Sequence, residues 1–274
     1  LPVWKLTVEY EGTRYRGWQE QRGSRTVAGE IRTAAEKFIG SRVDLTGAGR
    51  TDAGVHALHQ IARLSGSRRA KPEEVRRAIN SELPPDINLL DVESVDPQFD
   101  PRRDAIRRYY LYQISTRRSA FAKRFVWWVR DPLDVELMTN AAKRFAGRHD
   151  FANFCERRED QRSTMVVVES VEVGRDGDLI LFRIGASHFL WKMVRRLVGA
   201  FVEVGLGKLE VGDIDRMLDL QAAKKPGAAR SSGEESPFDV AAHTAPPSGL
   251  FLERVVYSKT EPAGPLRPAV PVRK

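Results

Sequence analysis

Cysteine is nearly absent from this chain of 274 residues, with Cys155 the single example. One thiol cannot form an internal disulfide, and it suits a reducing compartment. Histidine is scarce too, at five residues, and neither its spacing nor a cysteine partner supports a metal centre. No run of about 18 apolar residues occurs, so no segment is expected to span a membrane. The opening Leu1-Pro2-Val3-Trp4 lacks the charged-then-apolar form of a signal peptide. Acidic residues fall short of basic ones, 37 against 45, which leaves a formal charge of +8. That excess favours a polyanionic partner, nucleic acid or an anionic membrane surface. Together these features point to a cytoplasmic protein that meets nucleic acid, with a merely basic protein as the bland alternative.

Glycine is abundant in one place. Gly47-Ala48-Gly49-Arg50-Thr51-Asp52-Ala53-Gly54-Val55-His56 packs an acid, a base and three glycines into ten residues. Glycine admits backbone conformations closed to other residues and lets another chain approach closely. Arg50 and Asp52 are two apart, so in an extended segment they leave on the same face. A dinucleotide fingerprint would need a third glycine where Asp52 stands, and a carboxylate there would repel a pyrophosphate. A phosphate-binding Walker loop would end in Gly-Lys-Ser/Thr, which is missing. Asp52, His56 and His59 could be offered as metal ligands, without a fourth partner. Cys155 with His149 could suggest a thiol nucleophile, but a lone buried cysteine is the simpler reading. Asp52 remains, either as an Asx-type turn residue or as a reactive carboxylate that needs no activating base.

The hydrophobic pattern organises the rest. Trp4–Glu9 reads as a strand and 12–23 as a loop. Thr26 caps a helix with Val27, Ile31, Ala34, Ala35 and Phe38 inward. Strands follow at 43–46 and 55–64, then a helix opening at Pro72. The Pro- and charge-rich stretch 96–104 marks a lobe boundary, giving lobes at 1–103 and 104–258. The second lobe holds a strand at 107–114, a helix at 134–145 and strands at 165–173 and 179–184. The latter two are joined by a turn at Gly174-Arg175-Asp176-Gly177. A strongly apolar helix at 189–202, a short helix at 213–220 and a strand at 249–257 complete it. Residues 222–237 read as a flexible insertion and 259–274 as a disordered tail. The similar order of elements hints at two related halves.

Basic and aromatic residues cluster in both halves. Arg14, Tyr15, Arg16 and Trp18 sit together. Arg102, Arg103, Arg107 and Arg108 precede Tyr110. Arg157 and Arg158 follow Phe151 and Phe154, and Lys192, Arg195 and Arg196 decorate the apolar helix. Guanidinium groups meet phosphates, and aromatic rings stack on unpaired bases. Any one cluster could be a solvated face; spread over both lobes they fit a long RNA-binding groove.

The same residues carry a resemblance. Gly47–His56 resembles the signature of the TruA family of tRNA pseudouridine synthases. Tyr10-Glu11-Gly12-Thr13, Gly17-Trp18-Gln19 and Arg25-Thr26-Val27 resemble the family's opening. Arg108-x-Tyr110-x-Tyr112 resembles its tyrosine strand. His149-Asp150-Phe151, Phe189-Leu190, Met193-Val194-Arg195 and Val198-Gly199 resemble its second half, and Ala245-Pro246-Pro247 its closing segment. The resemblance implies an α/β (α+β) fold of two lobes, each a mainly antiparallel sheet backed by helices, with a central RNA-binding cleft. It implies uridine-to-pseudouridine isomerisation in the anticodon arm of tRNA, at about positions 38 to 40, on a base taken out of its stack. No cofactor is implied, and a homodimer is. By position, Asp52 is the catalytic aspartate, Arg50 helps displace the base, Tyr110 packs on the uracil and Arg195 pairs with Asp52. Arg14, Arg16, Arg102, Arg108, Arg157, Arg158, Lys192 and Arg196 are expected to hold RNA. Departures lie at Trp191-Lys192, at Arg196, in Asp100-Pro101-Arg102-Arg103 and in the 222–237 insertion. A catalytically silent tRNA-binding or RNA-folding protein on the same scaffold is the rival from another class.

Overall fold

The computed structural model describes residues 1–157, 161, 163–218 and 238–272. The expected 222–237 insertion and Arg158 lie outside the described residues. The chain divides into two units, one of Leu1–Tyr109 with Leu250–Ala263, the other of Tyr110–Gly249 with Gly264–Lys274. The division falls later than the 103/104 boundary read from the Pro-rich stretch, and Leu250–Ala263 returns to the first unit.

The first unit is built on β1 (Val3–Tyr10). Its alternation places Trp4, Leu6, Val8 and Tyr10 on one buried face. β1 lies antiparallel between β3 (His56–Ser65) and β4 (Ile87–Ser94). β4 was not anticipated from the sequence. On the other edge of β3, β2 (Asp44–Gly47) pairs antiparallel with its C-terminal half. β10 (Leu250–Val256) pairs parallel with its start, through Phe251 opposite His56. Helix α1 (Val27–Ile39) begins at Thr26, whose side chain accepts from the Gly29 N–H, and stops at Gly40 in the left-handed region. Its inner face ends on Ile39 rather than the expected Phe38, whose ring instead lies under the Arg68 guanidinium. Helix α2 (Pro72–Glu82) buries Val75 and Ile79 and packs on β4.

The second unit orders its strands β5-β9-β8-β7. These are β5 (Arg107–Ser115), β7 (Gly147–Asp150), β8 (Met165–Asp176) and β9 (Leu179–Ala186); the two-residue β6 (Trp127–Trp128) runs parallel to β5. The β8–β9 hairpin turns at Gly177-Asp178, later than the expected Gly174–Gly177, because the ladder continues to Asp176 opposite Leu179. Helix α3 (Val135–Arg144) is capped by the Asp134 carboxylate, which accepts from the N–H groups of Glu136 and Leu137. It packs on β8, on α4 (Met193–Gly205) and on α5 (Val211–Leu218). Rings of Phe145, Phe151, Phe154, Phe182 and Phe201 meet edge-on or tilted in the core of this unit. Helix α4 starts at Met193, not 189, because Lys192 takes φ 59°, outside the helical region.

The chain end corrects an expectation. Read as disordered, 264–272 is instead ordered against this unit. The buried Gln113 accepts from the Ala269 and Val270 N–H groups at 2.6 and 3.2 Å. It also donates to the carbonyls of Phe125 and Val270. The buried Arg183 grips Glu172 at 2.8 and 2.9 Å and donates to the Gly264 and Pro265 carbonyls. No helix among the described residues is long and apolar enough to cross a membrane. The fold is thus mixed α/β, mainly antiparallel sheet with helices packed against it.

Candidate active site

The Asp52 loop runs from the end of β2 to the start of β3. Almost every residue around Asp52 is tethered. The Ala48 N–H donates to the Ile61 carbonyl at 2.8 Å, and Gln60 Nε2 donates to the Gly49 carbonyl at 2.9 Å. The Trp18 N–H donates to the Thr51 carbonyl at 3.1 Å, and the Thr51 and Tyr10 hydroxyls meet at 2.7 Å, both buried. A turn closes through the Val55 N–H on the Asp52 carbonyl, and Gly54, at φ 78°, donates to the Tyr15 carbonyl. The loop is therefore pinned along 10–18, the opening segment. Asp52 itself is half-buried and Arg50 exposed.

Glycine makes that contact possible. A Cβ on Gly12 would sit 1.9 Å from the Val55 carbonyl oxygen. On Gly17, at φ 93°, it would sit 2.4 Å from that of Thr51. On Gly47 it would strike the Trp18 indole. The loop's own glycines are not equivalent. Gly47 admits Trp18, Gly54 makes the turn, and Gly49 faces open space.

Several residues expected to face RNA are occupied otherwise. Tyr15 and Trp18 are buried. The Tyr15 hydroxyl donates to Asp86; burial, then that carboxylate, pushes the phenol above its usual range. Arg108 is buried, and its guanidinium donates to the carbonyls of Ala48, Arg102 and Ala105 at 3.2, 2.7 and 3.1 Å. It ties the start of the Asp52 loop to the chain before β5. Arg14, Arg16 and Arg102 are exposed. His56 is buried, stacks on Phe251 at 4.8 Å, and accepts the Gly12 N–H on Nδ1 at 3.0 Å. The ring thus buttresses Gly12, with the Glu11 carboxylate 3.8 Å from the same nitrogen. His59 is exposed. Among the described residues no three His, Cys, Asp or Glu side chains are grouped to hold a metal ion.

In the second unit Tyr110 is buried on β5, edge-on to Phe189 at 4.9 Å. Two positions on, the Tyr112 hydroxyl donates to the Pro246 carbonyl at 2.7 Å. Burial holds that phenol well above its ordinary range, opposed by the charge of Arg195. Arg195 lies on α4, half-buried. Its Nε donates to the Ala245 carbonyl at 2.6 Å, and its own carbonyl accepts the Ala245 N–H at 3.1 Å. One turn on, a Cβ at Gly199 would fall 1.8 Å from the His243 carbonyl oxygen. The closing segment is thus fixed against α4 and β5. Lys192 and Arg196 both reach Glu156, and Arg196 also donates to the Cys155 carbonyl. Arg157 is exposed. Cys155 is buried, and burial raises its thiol. Sequence reasoning missed the tethers Tyr10, Gln60 and Tyr112. Tyr10 and Tyr112 stood inside the quoted motifs, but nothing in a sequence marks which hydroxyl meets which partner.

A family model described as tRNA pseudouridine synthase matches residues 6–102 and 141–258. Proteins named tRNA pseudouridine synthase A from Brucella ovis, Brucella suis biovar 1 and Brucella melitensis biotype 1 are each 37% identical over 263 residues. The alignment covers 94% of this chain and 99% of each relative. Among solved structures, the archaeal box H/ACA sRNP Nop10-Cbf5 complex is similar at 12% identity and a TM-score of 0.34, covering 73% of this chain and 43% of that one. That likeness is too slight to bear on the assignment. The match over most of the chain and the identity to full-length relatives decide it: this protein belongs to the tRNA pseudouridine synthase family.

Proposed function

We propose that the protein isomerises uridine in the anticodon arm of tRNA, at about positions 38 to 40, on a nucleotide flipped from its stack. Asp52 is the reactive carboxylate. Arg50 enters the RNA beside it, Tyr110 packs on the uracil, and Arg195 pairs with the Asp52 carboxylate. The observation that carries this reading is the tethering of the loop. Its backbone is fixed on both sides of Asp52 while the half-buried carboxylate and exposed Arg50 stand at its tip. A turn residue does not need such support; a group that must meet one atom of a substrate does.

The reaction breaks the N1–C1′ bond and forms a C5–C1′ bond. The C5 proton leaves and N1 ends protonated. The carboxylate can attack C1′, assist proton loss toward a glycal, or add to C6; all three place an oxygen of Asp52 against the flipped nucleotide. Extrusion costs a few kcal/mol, and an aromatic face returns about 1–3 kcal/mol of it by stacking. The detached uracil must turn without escaping, which a tethered Asp52 loop favours. Exposed Arg14, Arg16, Arg102 and Arg157 are proposed to meet phosphates, with Lys192 and Arg196 organised through Glu156. The protein is proposed to act as a homodimer in the cytoplasm, without a cofactor.

Pseudouridine mapped at single-nucleotide resolution on unmodified tRNA tests this. Wild type is expected to modify the anticodon arm. Asp52→Asn is expected to bind the same tRNA with no product. Product from that variant refutes the role of Asp52, and modification confined to another arm refutes the positions. Tight tRNA binding without product from wild type favours the silent-binder reading.

A further inference from the structure

The loop 116–126, between β5 and β6, is not used by the reaction described above, yet it is built firmly and presents an unusual surface. Its first foot is fixed where the Thr116 N–H donates to the Asp178 carbonyl at 2.9 Å and Arg117 Nε to the Asp178 carboxylate at 2.7 Å. Its second foot is fixed where Gln113 Nε2 donates to the Phe125 carbonyl at 2.9 Å and the Ser248 hydroxyl to the Val126 carbonyl at 3.1 Å. Inside the loop the Phe125 N–H closes on the Ala122 carbonyl, and Ala122 is buried. At the tip stands Phe121, 97% exposed. Around it Arg118, Lys123 and Arg124 are exposed, as is Arg130 beyond β6. The Arg118 guanidinium lies 5.6 Å from the ring centroid of Trp128, itself 40% exposed. From 116 to 130 there is no acidic residue.

A single exposed phenylalanine is ordinary. A fully exposed one, held on an anchored loop among cations with a second aromatic paired to arginine, has the composition that grips RNA: rings for unstacked bases, cations for the phosphates between them. Like charge argues against a second copy of this loop as its partner. The loop also sits at the far end of β5 from Tyr110, five residues along the strand, or roughly 16 Å. It therefore does not share a nucleotide with Tyr110.

We propose that loop 116–126 with Trp128 is a second RNA-contact surface, taking an unpaired or terminal base on Phe121 and phosphates on Arg118, Lys123 and Arg124. It rests on the reading of the substrate as RNA. The test measures binding of an unmodified tRNA transcript across a salt series, with single-turnover pseudouridine formation at saturating tRNA and the solution mass of each protein. Phe121→Ala is expected to weaken binding about tenfold, the effect of losing one stacked base. The combined Arg118→Gln, Lys123→Gln, Arg124→Gln variant is expected to lower the slope of log affinity against log salt by about 2. In both, the saturated rate and the mass stay at wild-type values. Wild-type affinity and slope in both variants overturn the proposal. So does a changed mass with unchanged affinity per protomer, which makes this face a protein interface. A wild-type protein that binds no tRNA overturns the substrate reading itself, and this surface with it.

Discussion

The two units hold their candidate site residues in different ways. In the first, Asp52 stands on a loop, and the loop is held by another loop: main-chain hydrogen bonds and glycines join 47–55 to 10–18. In the second, Tyr110 and Arg195 stand on a strand and a helix, and those elements hold a loop, the closing segment 243–247. Regular elements keep their geometry through many contacts, so loss of one changes little. A loop on a loop has few contacts, and each sets a position. The first unit is therefore expected to lose activity before stability, and the second to lose stability first.

The strongest challenge to that contrast is a matched pair of glycine substitutions. Gly12→Ala and Gly199→Ala each put a methyl within 2 Å of a carbonyl oxygen, at 1.9 and 1.8 Å. Overpacking of this kind costs about 1–3 kcal/mol, sometimes more. For Gly199→Ala the cost is expected in the melting temperature, because α4 must lift from the closing segment. For Gly12→Ala it is expected mainly in kcat, because the Asp52 loop can shift outward. Equal melting shifts, measured by thermal unfolding, would erase the distinction.

Gln113 sets a second comparison within the second unit. Gln113→Leu leaves the half-buried N–H groups of Ala269 and Val270 without their acceptor, at about 1 kcal/mol for each hydrogen bond lost. The variant is expected to melt lower and to let a broad-specificity endoprotease cut within 264–272, with kcat little changed. An unchanged melting point would show the tail to be dispensable.

This tail marks where the sequence stopped being readable. Its composition is that of a disordered segment, and composition was the only local signal. The residues that order it, Gln113 and Arg183, lie inside strands far away along the chain, and they read there as strand positions of no special kind. The same limit explains Arg108, Tyr15 and Trp18. Arginine beside aromatics signals RNA, but it signals a packed clamp equally well, and only the three-dimensional partners separate the two. The Asp52 loop was readable because glycine density is itself a local signal of close approach. Even there the sequence did not tell that Gly12 and Gly17, outside the signature, complete the fit. The strand β4 was missed although Ile87, Leu89 and Val92 are its buried positions: a register shift in its pairing with β1 breaks the alternation.

A smaller effect comes from single hydroxyls. Tyr10→Phe and Thr51→Val each remove one side of the 2.7 Å hydrogen bond next to Asp52. Each is expected to cost about 1 kcal/mol of stability and to lower kcat several-fold with KM unchanged. The double variant is expected to be little worse than either alone, since both remove the same contact. Additive losses in kcat would mean that the two hydroxyls act separately, and that the loop is not positioned through this bond.

The smallest effect is expected at Cys155, a residue of the second unit that sits among the cations and whose thiol makes only weak contacts, donating to the Ala152 carbonyl at 3.7 Å and accepting from Gln161 at 4.0 Å. Arg196 uses the Cys155 carbonyl, which any residue supplies. The thiol is buried, and burial raises its pKa, so it is protonated near neutral pH and a poor nucleophile. Cys155→Ala should cost about 1 kcal/mol for the lost packing and leave pseudouridine formation at the wild-type rate, in contrast to Asp52→Asn. Thiol reagents at neutral pH should label Cys155 at the rate of unfolding. A raised thiol pKa also fixes a sign: above the ordinary thiol range the unfolded chain gives up its proton before the folded one, so the unfolded state binds fewer protons and stability falls as pH rises. That decline should vanish from the Cys155→Ala protein when melting is followed against pH. If Cys155→Ala instead abolished product while the fold persisted, the reactive group would lie in the second unit and not on the Asp52 loop.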